Sequence, residues 1–229
     1  MVTYQDLCIR KVINAAGTYT VYGGSLVSNE VIRAMEIASH NFVDIDELLQ
    51  KTGEYIAKLI GVEAALITAG AAAGLTLSAA ACMAGSKPEF INALPNTEGM
   101  KNEIIIMRCH RNPYDNAMVL AGAKFIEIGN GIETHSWELE AAIGEKTAAV
   151  AFFVQAEMLE ASLPLTKVIE IAHAKNIPVI VDAAAELPPI ENLSKFMKMG
   201  ADIVLFSGGK DLRGPQSSGL MLGKKDMVN

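Results

Sequence analysis

The chain has 229 residues, enough for one large core or for one core and a fragment of another. It is 51% hydrophobic, 6% aromatic and 20% charged, a composition of soluble α/β proteins that excludes a disordered chain. A net charge of −7 without a basic stripe argues against a nucleic-acid surface, and three scattered cysteines (Cys8, Cys82, Cys109) argue against a disulfide framework or a zinc site.

In chain order, Asp44 and Glu47 have the spacing of a helix start, and Gly61 stops that helix. A strand over 64–68, a turn and a buried helix over 71–84 follow. Residues 64–86 carry no charge, and Gly70 and Gly74 match a membrane-helix packing pattern. The segment is built from Ala, Gly, Thr and Ser, whereas a span needs about 20 strongly apolar residues. Residues 88–99 are polar and read as a surface excursion. Strands are predicted at 103–107 (EIIIM), 124–128 (KFIEI) and 147–154 (TAAVAFFV), with helices at 114–121 and at 136–143, the latter opened by Ser136. A helix over 166–175 turns Val168, Ile169 and Ile171 inward and Lys167, Glu170 and Lys175 outward, with His173 solvated. Then come a strand at 178–181 (PVIV), a helix near 191–199, a strand at 201–206 (ADIVLF) and a strand at 218–222 (SGLML). Strands alternating with helices give right-handed βαβ units, hence a three-layer α/β/α fold around a mostly parallel sheet.

Asp182 ends the 178–181 strand, and Ser207-Gly208-Gly209-Lys210 follows the 201–206 strand at once. A carboxylate and an amine thus leave the carboxyl ends of two strands, where ligands bind in open α/β sheets. That pair suits pyridoxal 5'-phosphate (PLP). The lysine would hold the aldehyde, and the acid would keep the pyridine nitrogen protonated. A plain loop lysine and a helix N-cap would read the same way. At Thr68-Ala69-Gly70-Ala71-Ala72 a strand turns into a helix, and the free N–H groups of Gly70, Ala71 and Ala72 offer an anion site for the cofactor phosphate or for a nucleotide. Neither Gly-x-Gly-x-x-Gly nor a P-loop is present. His110 follows a strand by three residues and is placed to stack on the cofactor ring and assist proton transfer. Gln155 is placed to bond the phenolic oxygen, Ser207 to donate to the phosphate, and Arg213 to meet a substrate carboxylate or phosphate.

Several motifs act as a set: Val12-Ile13-Asn14-Ala15-Ala16-Gly17-Thr18, Asp115-Asn116-Ala117, Ala121-Gly122-Ala123-Lys124, Val181-Asp182-Ala183-Ala184, Phe206 through Lys210, and Gly214-Pro215-Gln216. Together they resemble the bacterial selenocysteine synthase (L-seryl-tRNA selenium transferase) family, over essentially the whole chain. The resemblance implies a PLP-dependent fold type I enzyme assembled as a homo-oligomer. It implies Lys210, Asp182 and His110 as catalytic residues. Gly70, Ala71, Ala72 and Ser207 would hold the cofactor phosphate. The residues themselves add Gln155 as a cofactor contact or a plain strand-end cap and Arg213 as a substrate contact, and no metal is expected. The transferases carry Asp before the lysine, where this chain has Gly209, and Gly where it has Arg213. The stretches 110–115 and 208–215 resemble the D-glucosaminate-6-phosphate ammonia-lyase branch more closely.

The expectation is a cytoplasmic lyase acting by β-elimination and deamination on a small 2-amino-3-hydroxy acid, with no membrane or nucleic-acid partner. The alternatives are selenium transfer on seryl-tRNA, or a non-catalytic α/β nucleotide-binding module. Residues 1–40 read as an N-terminal segment and 41–229 as the PLP-binding large domain, with a C-terminal small domain apparently absent from this chain.

Overall fold

The computed structural model describes residues 2–154 and 160–228. Seven strands form one sheet: β1 (Ala64–Thr68), β2 (Glu103–Met107), β3 (Lys124–Ile128), β4 (Thr147–Phe153), β5 (Val179–Asp182), β6 (Ile203–Ser207) and β7 (Gly219–Gly223). Their order is β1-β7-β6-β5-β4-β2-β3. The pairs from β3 across to β6 are parallel. β7 runs antiparallel between β6 and β1.

The helices are α1 (Asn29–Ser39), α2 (Ile45–Ile60), α3 (Ala71–Ala84), α4 (Pro88–Ala93), α5 (Asn116–Leu120), α6 (Ser136–Ala142), α7 (Leu165–His173), α8 (Asn192–Lys198) and α9 (Lys225–Val228). They cover both faces of the sheet. Strand residues of one parity, such as Ile105, Val150, Val181 and Phe206, pack with residues of α2, α6, α7 and α8. Those of the other parity, such as Ile104, Ala149, Ile180 and Leu205, pack with α3 and α5. A strand covered on both faces must be apolar at every position, which is why β4 and β6 read as continuous hydrophobic runs. Each large side chain so buried contributes roughly 1.5–3 kcal/mol.

Local chemistry sets the boundaries. Asp44 Oδ1 accepts the Glu47 N–H at 3.0 Å to start α2, and Gly61 ends it in the left-handed region (φ 79°). Two helices are added to the sequence reading and two expectations are corrected. The 88–99 excursion contains α4, because Pro88 occupies the first turn, where its missing N–H costs nothing. α6 is capped by His135, which forms a reciprocal capping box with Glu138, and not by Ser136. His173 is not simply solvated, since its Nε2 lies 2.8 Å from Asp202 Oδ2. Asn29–Ser39 is helical, with Ser28 Oγ accepting the Val31 N–H at 3.4 Å. Among the described residues no helix is long and apolar enough to cross a membrane.

The topology delivers the carboxyl ends of β1, β2, β4, β5 and β6 to one edge. Because β7 runs the other way, its first residue, Gly219, joins that edge between Thr68 and Ser207.

Candidate active site

A cavity of about 400 Å³ opens at this edge. Its floor is Phe153 and Val154 after β4, Asp182, Ala184 and Ala185 after β5, and Lys210 after β6. Asn112 and Tyr114 wall one side, and Thr18, Tyr19 and Thr20 close the other. The volume lies in the range of small-molecule sites.

Asp182 is half-buried as the last residue of β5, and its Oδ1 accepts the Ala184 N–H at 2.9 Å. Burial raises its carboxyl pKa above the ordinary carboxylate value, while the Ala184 N–H and the charge of Lys210 oppose the rise. A carboxylate held in this way favours a cationic partner within the cavity. Lys210 rides on a tight turn. The Gly208 N–H bonds Ser218 O, the Gly214 N–H bonds Gly208 O, both at 2.8 Å, and the Arg213 N–H bonds Lys210 O at 2.9 Å. Gly209 fits because a Cβ there would lie 2.6 Å from Gln216 Cα.

His110 ends a 3-10 turn (Arg108–His110) after β2 and is fully buried. Its Nδ1 accepts the Phe153 N–H at 3.2 Å, and its ring stands edge-on to Phe152 at 4.6 Å. Burial lowers its pKa to about 4, so the ring is neutral near pH 7. With Nδ1 accepting, the proton is assigned to Nε2. That atom is buried and has no partner among the described residues. His110 lies behind the cavity and not in its wall.

Gly70, Ala71 and Ala72 sit at the start of α3, where no side chain caps the helix. Gly70 has φ 110°. A Cβ on Gly219 would lie 2.5 Å from Gly70 C and 2.8 Å from Ala71 N, so the two backbones touch. Ser207 faces Gly219 across the ladder and is half-buried. The three α3 residues and Ser207 are therefore brought together on the edge, beside the cavity and outside its wall. Arg213 is exposed, in the left-handed region (φ 54°), and its Nε donates to Leu26 O at 3.4 Å. It does not line the cavity. Gln155 lies outside the described residues.

Five wall residues were not identified from the sequence: Asn112, Tyr114, Thr18, Tyr19 and Thr20. The first two belong to a turn fixed by the buried Asp115. Its Oδ2 accepts from Arg111 Nε at 2.6 Å and from the Asn112 N–H at 2.9 Å. Arg111 also pairs with Glu127 and lies over the Phe125 ring, 4.9 Å from its centroid. The motifs beginning at Asn14 and Asp115 were the available signals.

Comparison with known proteins bears on the family and the fold. The chain is 36% identical over 230 residues to D-glucosaminate-6-phosphate ammonia lyase of Salmonella typhimurium, covering 98% of this chain and 61% of that protein. The solved structure of D-glucosaminate-6-phosphate ammonia-lyase superposes with a TM-score of 0.92 over 98% of this chain and 61% of that one. A pyridoxal-5'-phosphate dependent protein from Escherichia coli, at 16% identity, shares the fold with a TM-score of 0.58 over 79% of this chain and 45% of its own. The L-seryl-tRNA(Sec) selenium transferase of Alkaliphilus metalliredigens is 29% identical over 99% of this chain and 51% of its own length. The chain thus spans about three-fifths of the length of the ammonia lyase, 61%. The family model described as L-seryl-tRNA selenium transferase matches residues 12–229, and the chain belongs to that family.

Proposed function

We propose that this chain carries the cofactor-binding machinery of a PLP-dependent lyase that deaminates a small 2-amino-3-hydroxy acid by β-elimination. The observation that carries the reading is the placement of Asp182 and Lys210 in the wall of one cavity at the carboxyl edge of the sheet. The 36% identity to an ammonia lyase supports the reaction type. The transferase reading stands second at 29% identity, and the net charge of −7 does not favour a tRNA partner.

The residues present fit the cofactor. Asp182 is a half-buried carboxylate facing an open cavity. His110 Nε2 is a buried donor with no partner among the described residues. At Gly70 no described atom comes within 4 Å of where a Cβ would stand, which leaves room at the helix N-terminus for a phosphate. PLP, when bound, supplies an electron sink for charge that develops at the substrate Cα.

Lys210 would hold the cofactor aldehyde, and its amine, when free, would take the proton from the substrate Cα. Asp182 keeps a proton on the pyridine nitrogen through its free carboxylate oxygen. The N–H groups of Ala71 and Ala72, with Ser207 Oγ, orient the phosphate. His110 would support the ring, and Gln155 and Arg213 would contact the cofactor and the substrate. Loss of the 3-hydroxyl and hydrolysis then release ammonia and a 2-keto-3-deoxy acid.

The same reading assigns 1–40 as the N-terminal segment and 41–229 as the large domain of a cytoplasmic homo-oligomer. Exposed Ile13, Val21 and Leu26 (98%, 82% and 85%) support burial of the N-terminal segment against another subunit. Ammonia release from D-glucosaminate 6-phosphate, compared between the protein and Lys210→Ala, tests the activity. Equal release from both would overturn it.

A further inference from the structure

The motif from Val12 to Thr18 leads into one wall of the cavity. Asn14 Nδ2 donates to Gly17 O at 2.7 Å, and its Oδ1 accepts the Ala16 N–H at 3.0 Å. The turn closes with Gly17 at φ 94°, and the chain enters a short 3-10 helix, Thr20–Tyr22. The far end is fastened next to Lys210. Ser25 Oγ donates to Gly209 O at 3.0 Å, and Gly24 packs so closely on Gly209 O and Gln216 that no Cβ would fit. Residues 14–25 are therefore a strap with a locally closed turn at one end and a fastening beside Lys210 at the other, and its middle, Thr18, Tyr19 and Thr20, faces the same cavity as Asp182 and Lys210.

The wall is chemically uneven. Among the described residues its single cation is Lys210 and its single anion is Asp182. Apart from those two, its polar groups are the hydroxyls of Thr18, Tyr19, Thr20 and Tyr114 and the amide of Asn112. Neutral groups that both donate and accept match a row of substrate hydroxyls, and they give little grip on a bare carboxylate, which favours a cation. We infer that Thr18, Tyr19 and Thr20 are specificity-determining residues that read the polyhydroxylated tail of an amino sugar acid, with Asn14 as the residue that positions them. This rests on the lyase reading above and names its substrate class.

The test uses Tyr19→Phe, Thr20→Val and Asn14→Ala with two substrates, D-glucosaminate 6-phosphate and D-serine, which has the 3-hydroxyl but no tail. Tyr19 and Thr20 are exposed, so their variants leave the core intact. Each variant is expected to raise KM for the sugar acid roughly 2- to 10-fold, one hydrogen bond's contribution, with kcat and the D-serine KM unchanged. The calorimetric Kd for the sugar acid should move in parallel, and the visible band of the lysine-bound cofactor should be retained. Equal changes for both substrates, or an unchanged KM and Kd for the sugar acid, would overturn the inference while the retained band left the lyase reading standing. Absence of the band in the unsubstituted protein would overturn both.

Discussion

Gly219→Ala is the sharpest probe of how the sheet edge is built. Gly219 begins β7 between Thr68 and Ser207, with strands on both sides. The added Cβ would meet Gly70 C at 2.5 Å, Thr68 Oγ1 at 2.6 Å and Ala71 N at 2.8 Å. Carbon atoms settle no closer than about 3.5 Å, so the start of α3 must retreat by about 1 Å. Two of the three atoms are backbone, and no rotamer change relieves them. Overpacking of this kind costs about 1–3 kcal/mol. In a chain of this size that corresponds to a fall in Tm of about 2–12 °C. The same movement shifts the Ala71 and Ala72 N–H groups proposed to hold the phosphate, so PLP affinity should fall about tenfold for each 1.4 kcal/mol of binding energy lost. Thermal denaturation and PLP titration are run beside Gly131→Ala, where no described residue comes within 4 Å of the new Cβ. If Gly219→Ala matches Gly131→Ala in both Tm and PLP affinity, the account of the edge is wrong.

Other variants test other parts of the site. Burial holds the His110 pKa at about 4 against an ordinary 6.5, so the unfolded chain binds the extra proton between those values and the protein loses stability as pH falls through them. The loss between pH 7 and pH 5 is about 2 kcal/mol, read by urea unfolding, and His110→Asn should remove it. Asp182 has the opposite sign. Its folded pKa lies above 3.8, so ionisation costs stability as pH rises beyond that value. Unliganded Asp182→Asn should therefore gain stability over the parent at pH 7 while binding PLP more weakly, and a loss of stability there would contradict the burial argument. Asp115→Ala removes the buried acceptor of the Asn112 N–H and of Arg111, which stays partly exposed and paired with Glu127, and should cost about 1–3 kcal/mol in denaturant unfolding. A change within 0.5 kcal/mol, the usual range of surface substitutions, would show that the turn does not depend on the pair.

Most of the fold was legible because a sheet covered on both faces leaves a simple trace. The runs EIIIM, TAAVAFF and IVLFS are apolar at nearly every position and stop at polar or small residues. The direction of β7 was not legible, since GLML reads the same either way and its place between β1 and β6 is fixed by long-range pairing. The placement of Asp182 and Lys210 in one cavity was accessible because each lies at or just after the end of a strand. The strap was not, because residues 14–25 have no periodicity and are held by side-chain-to-backbone bonds to a turn far along the chain. The burial of His110 was also hidden, since it depends on Phe152 and Phe153 of a neighbouring strand.

The most direct test of the central claim is covalent. The full-length protein is incubated with PLP, reduced with borohydride and digested, and the labelled peptide is identified. The account predicts one modified residue, Lys210, and no label in Lys210→Ala. A label on another lysine, or none at all, would contradict it.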